Sequence, residues 1–167
     1  PSMIKRSRGV ADAMSKGVTF LLKKNKIDVI SGYGTLKSGR KLEVKDSAGK
    51  TQTYEAKNII IATGARSREL PNLKQDGKKV IGYREAMNLE KQPKSIVVVG
   101  SGAIGVEFAY FYHSIGTKVT IVEFMPNIVP IEDEDVSKQL ARSFKKSGIE
   151  IMLESTVESV DTSGAGC

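Results

Sequence analysis

The order of apolar and polar residues divides the chain into helical and extended stretches. Over residues 4–26, apolar side chains recur at helical spacing and predict one helix. Residues 27–36 predict a strand, and the alternating segments 41–45 and 51–55, which flank a short polar turn, predict a β-hairpin. The continuous apolar, largely β-branched run at 58–62 predicts a strand that is fully buried.

The second half of the chain alternates strand-like and helix-like segments, which predicts an α/β fold. Between 66 and 93 the periodicity fades into turn-forming residues, so we predict a domain boundary there, with a linker at 71–93 and a short helix at 83–89. After it, the pattern predicts strands at 95–99, 118–122, 149–153 and 156–160, and helices at 103–116 and 133–146, the latter closed by Gly148.

Three glycines follow the strand at 95–99 in the spacing G-x-G-x-x-G. In such a turn Gly100 makes the sharp bend, Gly102 lets the backbone approach a pyrophosphate, and Gly105 lets helix and strand pack closely. A pyrophosphate is favoured at the N-terminus of the next helix because unpaired N–H groups and the positive end of the helix dipole lie there. We therefore predict a Rossmann-like dinucleotide site, whose other residues are Ser101, Ala103, Ile104, Val106 and Glu107.

An acidic residue ends the next predicted strand, about twenty residues beyond the glycine motif. In this position the carboxylate of Glu123 can accept hydrogen bonds from the ribose hydroxyls of a dinucleotide. The same charge would repel a 2′-phosphate, and residues 124–127 include no lysine or arginine to receive one. The sequence therefore predicts NAD rather than NADP. The alternative to a dinucleotide site is an ordinary βαβ unit with a glycine turn.

Composition narrows the class of protein. The 167 residues carry a formal net charge of +7, but the basic residues are scattered and no nucleic-acid-binding motif accompanies them, so we expect no nucleic acid partner. No apolar run approaches the roughly 20 residues of a membrane span, and the N-terminus has no apolar signal core. We expect a cytoplasmic protein that does not bind membranes.

The chain has one cysteine and one histidine, which limits its own chemistry. Cys167 is the last residue, so no disulfide within the chain and no C-x-x-C pair can form. His113 lies among aromatic residues of a predicted helix, where a packing role is favoured over a catalytic one. With no second histidine or neighbouring cysteine, we expect no metal site.

Three segments of the chain occur in an order that is typical of a known protein family. They are Ile59-Ile60-Ile61-Ala62-Thr63-Gly64-Ala65-Arg66, the glycine turn, and Val122-Glu123-Phe124-Met125-Pro126. The chain resembles the pyridine nucleotide-disulfide oxidoreductases over essentially its whole length. The resemblance implies part of an FAD-binding domain with a β-hairpin or meander at 1–70, a linker at 71–93, and a C-terminally incomplete NAD-binding domain at 94–167.

Within the family, the resemblance is to enzymes that oxidise dihydrolipoamide with FAD and NAD. It implies a homodimeric parent protein whose substrate is carried on an acyltransferase partner. It also implies that this chain is a central piece, without the redox-active cysteine pair or the catalytic histidine and glutamate. We therefore expect no catalytic residue in this chain, no lipoamide turnover, and at most NAD binding.

The resemblance also assigns roles to individual residues. Gly34 matches a position where the backbone approaches the FAD adenine, and Thr63, Gly64 and Ala65 match a turn that lines the flavin dinucleotide. Glu107 matches a glutamate directed at the nicotinamide and flavin, and Val157 an apolar contact with the NAD adenosine. Each residue also has a purely structural alternative. Gly34 could mark a strand bulge, and 63–65 could be a common turn after a strand. Glu107 could be a carboxylate stabilised near a helix N-terminus, and Val157 an ordinary core residue.

Two other functions stay open at this stage. The parent could be another flavin-linked enzyme, such as a glutathione or mercuric reductase or an NADH oxidase, because the diagnostic redox centre is outside the sequence. A nonenzymatic protein that keeps only an NAD-binding module is the other alternative. The resemblance also implies that the first βαβ unit of the FAD-binding domain is outside this sequence, so the strands predicted at 27–36 and 58–62 would lack neighbours. We therefore expect the first half to self-associate or to be partly disordered, and the half after Pro93 to be better ordered.

Overall fold

The computed structural model describes residues 2–164 and 166, so Cys167 lies outside the described residues. The chain divides into two compact units, Ser2–Arg66 and Ser67–Cys167. The segment that the sequence predicts as a linker, 71–93, is part of the second unit. None of the helices found in 2–164 combines the length and apolar character needed to span a bilayer.

The first unit begins with the long helix α1, Ser2–Lys24, which confirms the helix predicted from the periodicity. The helix ends because Lys26 adopts a left-handed backbone conformation with φ of 56°. The N–H groups of Lys26 and Ile27 then donate to the carbonyls of Lys23 and Leu22 and close the last turn. No described residue of α1 is buried; Ile4 and Leu22 are half-buried, and most of its other large apolar side chains are exposed.

Three antiparallel strands follow, β1 (Tyr33–Lys37), β2 (Lys41–Lys45) and β3 (Thr51–Glu55), in the order β1-β2-β3. The β2–β3 hairpin is confirmed, with Lys45 paired to Thr51. Its turn is fixed by Asp46, whose carboxylate accepts from the N–H groups of Ala48 and Lys50 at 2.9 Å each. The strand predicted at 27–36 is only partly correct, because β1 begins at Tyr33.

Two predicted strands are wrong. Residues 58–62 form no strand, and Ile60 and Ile61 are 90% and 68% exposed rather than buried. A strand of this kind needs neighbouring strands, and the sheet of this unit ends with β1 and β3. Residues 156–160 form no strand either, because the carbonyls of Val157 and Glu158 accept from the side-chain amide of Asn72 instead of a neighbouring strand.

The second unit is built on a parallel sheet. Strands β4 (Ser95–Val99), β5 (Lys118–Val122) and β6 (Glu150–Met152) lie in the order β4-β5-β6. Ser95 pairs with Lys118 and Thr120 with Glu150. Helix α3 (Ala103–Ser114) connects the first two strands, and α4 (Glu134–Ser147) connects the last two. These elements confirm the predicted strand and helix alternation, so the chain is a mixed α/β protein with one parallel and one antiparallel sheet.

The core of the second unit lies around β5. Val119, Ile121 and Ile149 are at most 2% exposed, and Ala109 and Tyr112 of α3 pack in the same cluster. The short helix α2, Tyr83–Ala86, confirms the helix predicted at 83–89 in a shorter form. Its Ala86 joins the core, and its carbonyl accepts a 2.6 Å hydrogen bond from the Tyr112 hydroxyl. Residues 83–86 therefore contribute to the core of this unit.

Candidate functional site

The turn between β4 and α3 is shaped by its glycines. Gly100 has a φ of 96°, a left-handed conformation that glycine adopts without steric cost, and its N–H donates to the carbonyl of Val122 at 2.9 Å. A Cβ on Gly105 would lie less than 3.0 Å from the Gly100 carbonyl oxygen, so helix and turn are in backbone contact there. A Cβ on Gly102 would meet nothing within 4 Å. The turn is thus closed on its inner side and open at Gly102.

The N-terminus of α3 opens onto this turn. Its N-cap residue is Gly102, which has no side chain to accept from the first N–H groups of the helix, and the first turn holds no acidic residue. Residues 102–104 are exposed. The first N–H groups of a helix have no partner within it and carry the positive end of its dipole. This helix end can therefore bind an anionic group such as a phosphate.

Glu123 lies directly after β5 and is only 4% exposed. Its Oε2 atom accepts from the N–H of Ser101 at 2.8 Å and from the Ser101 hydroxyl at 2.6 Å, and its Oε1 accepts from the N–H of Met125 at 3.0 Å. The fold thus brings the acid against the second residue of the glycine turn. The carboxylate thus accepts hydrogen bonds from both the glycine turn and the segment after β5.

These hydrogen bonds also control the ionisation of Glu123. Burial by itself would raise the pKa of this carboxyl group. The hydrogen bonds from the Ser101 side chain and from the N–H groups of Met125, Ser101 and Phe124 stabilise the charged form and outweigh burial, so the pKa lies below its ordinary value of 4.5. The carboxylate is therefore negatively charged at neutral pH.

Ser101 is the residue whose contacts the sequence did not reveal. It is fully buried, and its carbonyl oxygen accepts from the N–H of Val129 at 3.0 Å in addition to the two bonds it donates to Glu123. The motif places Ser101 between two glycines of the turn but does not indicate a role for the hydroxyl. A hydroxyl residue at that point, followed by an acid at the end of the next strand, is the signal from which the pair could have been found.

The other residues predicted for this site lie on α3 and in the segment after β6. Glu107 is exposed on α3, as is Ile104, whereas Val106 is buried beneath the helix. Val157 is half-buried in the segment after β6, where its carbonyl accepts from Asn72. The structure thus places the glycine turn and Glu123 in direct contact.

The residues predicted to bind FAD lie in the first unit. Gly34 is exposed in β1 opposite Val44, and Thr63, Gly64 and Ala65 are exposed outside helices and strands. Gly64 has a φ of 71° and open space where a Cβ would project. A cavity of about 160 Å³ in this unit is lined by other residues: Ile30, Ser31, Val44, Asp46, Lys50, Gln52 and Tyr54.

Comparison with known proteins places this chain in context. The family profile described as pyridine nucleotide-disulphide oxidoreductase matches residues 2–166. A dihydrolipoyl dehydrogenase of Zymomonas mobilis is 46% identical over 164 residues, which are 98% of this chain and 35% of the relative. One from Chlorobaculum tepidum is 48% identical over 163 residues, again 35% of its length. The chain thus spans about a third of the curated relatives that it matches.

Solved structures give the same result. LpdA of Mycobacterium tuberculosis aligns with 99% of this chain and 38% of its own, with a TM-score of 0.90 and 31% identity. A cysteine-to-serine mutant of RclA from Escherichia coli, an HOCl-induced flavoprotein disulfide reductase solved as its Cu(II) complex, aligns with 96% of this chain and 37% of its own, with a TM-score of 0.81 and 29% identity. Both sequence and fold therefore match part of a larger protein.

Proposed function

Because this chain belongs to the pyridine nucleotide-disulphide oxidoreductase family, we propose that residues 94–167 form a Rossmann-like domain that binds NAD. The observation that carries the proposal is the uncapped N-terminus of α3 behind a turn in which Gly100 has a φ of 96° and Gly105 leaves no room for a Cβ. The first N–H groups of α3 would receive the pyrophosphate, and Gly102 would let the backbone approach it. No cationic side chain is needed for this contact.

Glu123 would select the coenzyme at the other end of this site. Its carboxylate is ionised and fixed in place, so a 2′-phosphate beside it would meet an uncompensated like charge. The same carboxylate would accept a hydrogen bond from a ribose hydroxyl of NAD. Glu107 would accept from the nicotinamide carboxamide, and Val157 would contact the adenosine. NAD is therefore the proposed coenzyme.

Residues 1–70 would contribute part of an FAD-binding domain. The exposed backbone at Thr63–Ala65, with open space beside Gly64, fits a segment that lines a ligand, and Gly34 would approach the adenine. When bound, the flavin would supply electron transfer between a dithiol and NAD. In this chain the four residues would bind the cofactor only.

The whole protein would be a dihydrolipoyl dehydrogenase. The basis is 46% and 48% identity to two enzymes with this name over almost the whole of this chain. As such an enzyme it would oxidise dihydrolipoamide carried on an acyltransferase partner, with FAD as cofactor and NAD as acceptor, and would act as a homodimer in the cytoplasm. Residues 1–167 contain one cysteine, so we propose that the isolated polypeptide does not turn over lipoamide.

A second candidate remains within the same family. The basis for this candidate is the alignment with the RclA mutant, a flavoprotein disulfide reductase, at a TM-score of 0.81. Both candidates require NAD binding at the same turn, so the first experiment tests what they share. Activity of the flavin-loaded full-length protein with dihydrolipoamide, compared with other dithiol substrates, would separate them.

The NAD site can be tested on the 167-residue chain by titration with NADH and NADPH, following coenzyme fluorescence. We expect tighter binding of NADH than of NADPH. Glu123→Ala should weaken NADH binding by about tenfold or more, because a hydrogen bond to a charged group is lost, and should also relax the preference. Glu90→Gln, which changes an exposed acid outside the site, serves as the control and should change neither affinity.

Two results would contradict the proposal. Equal affinities of the unaltered chain for NADH and NADPH would remove the selective role of Glu123. Absence of measurable binding of either coenzyme, in a chain that is folded by circular dichroism, would remove the dinucleotide site itself. An absorption spectrum of the purified chain in the flavin region would independently show whether residues 1–70 retain FAD.

A further inference from the structure

We propose that Ser101 is a positioning residue that sets the coenzyme preference of this site by holding the carboxylate of Glu123. This inference rests on the proposed NAD binding and adds a residue that acts through Glu123. It depends on three contacts of one fully buried residue: two donated to the acid and one accepted from the chain beyond it.

The bonds between Ser101 and Glu123 are strong for their type. The hydroxyl donates to a charged oxygen at 2.6 Å, within the short range of charge-assisted O–H···O bonds. The N–H of the same residue donates to the same oxygen at 2.8 Å. Because one residue supplies both donors, the Oε2 atom has a single defined position relative to the glycine turn. The carboxylate cannot rotate without breaking both bonds in a buried place.

Ser101 is itself held from the other side. Its carbonyl accepts from the N–H of Val129, a buried residue with a φ of 42°. A β-branched residue is strained in this conformation and keeps it only where its surroundings fix it. The loop after β5 is therefore tied to the glycine turn through Ser101. Hydrogen bonds through Ser101 thus join the turn, the acid and the loop into one unit.

This arrangement explains how an acid can discriminate against a phosphate. A mobile carboxylate could turn away from a 2′-phosphate and so reduce the repulsion. A carboxylate fixed by two donors cannot turn away, so its repulsion of the 2′-phosphate lowers the affinity for NADPH in full. Its Oε1 atom accepts from the N–H of Met125, and a ribose hydroxyl would donate to this same fixed carboxylate. Holding the acid thus favours NADH and disfavours NADPH at the same time.

The test measures the ratio of the NADPH and NADH dissociation constants in the 167-residue chain. Disruption of the site as a whole weakens both coenzymes and leaves the ratio unchanged, whereas release of Glu123 lowers it. We expect Ser101→Ala to lower the ratio about tenfold, the effect of one hydrogen bond to a charged group. Glu123→Gln should abolish the preference. Ser101→Ala in the Glu123→Gln background should then have no further effect on the ratio.

A matched control is available in Thr117. It also has a buried hydroxyl, and the residue is 2% exposed, but this hydroxyl donates to the carbonyl of Pro93 at 3.0 Å and makes no contact with Glu123 or Val129. Thr117→Val should leave the ratio within about twofold of the unaltered chain. If Ser101→Ala does not fold, Ser101→Cys decides the question, since it keeps the shape of the side chain with a much weaker donor. The same loss of preference is expected.

The outcomes separate this inference from the proposed function. If Glu123→Gln abolishes the preference while Ser101→Ala and Ser101→Cys keep it, Ser101 does not position the acid, and NAD binding stands. An increased ratio in Ser101→Ala would also overturn the inference, since it would show that the hydroxyl competes with the ribose. If the unaltered chain shows no preference, the proposed function itself fails.

Discussion

The carbonyl oxygen of Gly100 occupies the space into which a side chain on Gly105 would project, with less than 3.0 Å between that oxygen and an ideal Cβ. Real Cβ atoms essentially never approach backbone this closely, and neither partner is the end of a flexible side chain. Gly105→Ala should therefore destabilise the second unit by about 1–3 kcal/mol or more, as overpacking does. Urea unfolding followed by circular dichroism measures this, and an unchanged midpoint would contradict the contact.

Gly102→Ala separates binding from stability. A Cβ there meets nothing within 4 Å and φ is −64°, so the fold should tolerate alanine. We expect a stability change of less than about 1 kcal/mol, yet at least a severalfold loss of NADH affinity, because the methyl group would project where the pyrophosphate must approach. Titration and unfolding of the same sample test both parts. Unaltered NADH binding would place the phosphate elsewhere.

The ionised Glu123 should make the stability of the second unit depend on pH. Its folded-state pKa is below the ordinary value of 4.5, so its contribution is present above about pH 4.5 and is lost as pH falls through the folded-state pKa. Glu123→Gln should lower the free energy of unfolding by about 1–3 kcal/mol at pH 7, because the amide nitrogen of glutamine would face N–H donors and could not accept from them. The difference in the free energy of unfolding between the variant and the unaltered chain should become smaller at low pH, because Glu123 is then protonated. Denaturant unfolding between about pH 3 and pH 7 measures this. A constant difference would argue against this linkage.

The C-terminus of α1 offers a stabilising substitution. Lys26 is exposed and has a φ of 56°, a conformation that costs an L-residue roughly 1–2 kcal/mol and glycine little. Lys26→Gly should therefore stabilise the first unit by about 0.5–1 kcal/mol after allowance for the greater freedom of glycine in the unfolded chain. Lys24→Gly, within α1, should destabilise by a similar amount. Thermal unfolding measures the midpoint temperature of both variants. Midpoints that shift in the same direction would contradict this prediction.

Local pattern was sufficient for most elements and for the glycine turn. The β2–β3 hairpin follows from alternation and from Asp46, and α4 begins at its N-cap Asp133 and ends at the left-handed Gly148, as caps in the sequence predict. Where the sequence failed, at 58–62 and 156–160, the outcome depended on whether a neighbouring strand exists. Residues within a segment carry no information about such distant partners.

The sequence by itself determined the positions of turn, helix and acid, because glycine spacing, helical periodicity and capping residues act over a few residues. Only the tertiary structure decided that the carboxylate of Glu123 is held by Ser101, since 22 residues separate them and the packing of β4 beside β5 brings them together. Tertiary structure likewise decided that Ala86, from the predicted linker, packs in the core. Burial and hydrogen-bond partners of this kind arise from long-range packing, which one-dimensional pattern does not encode.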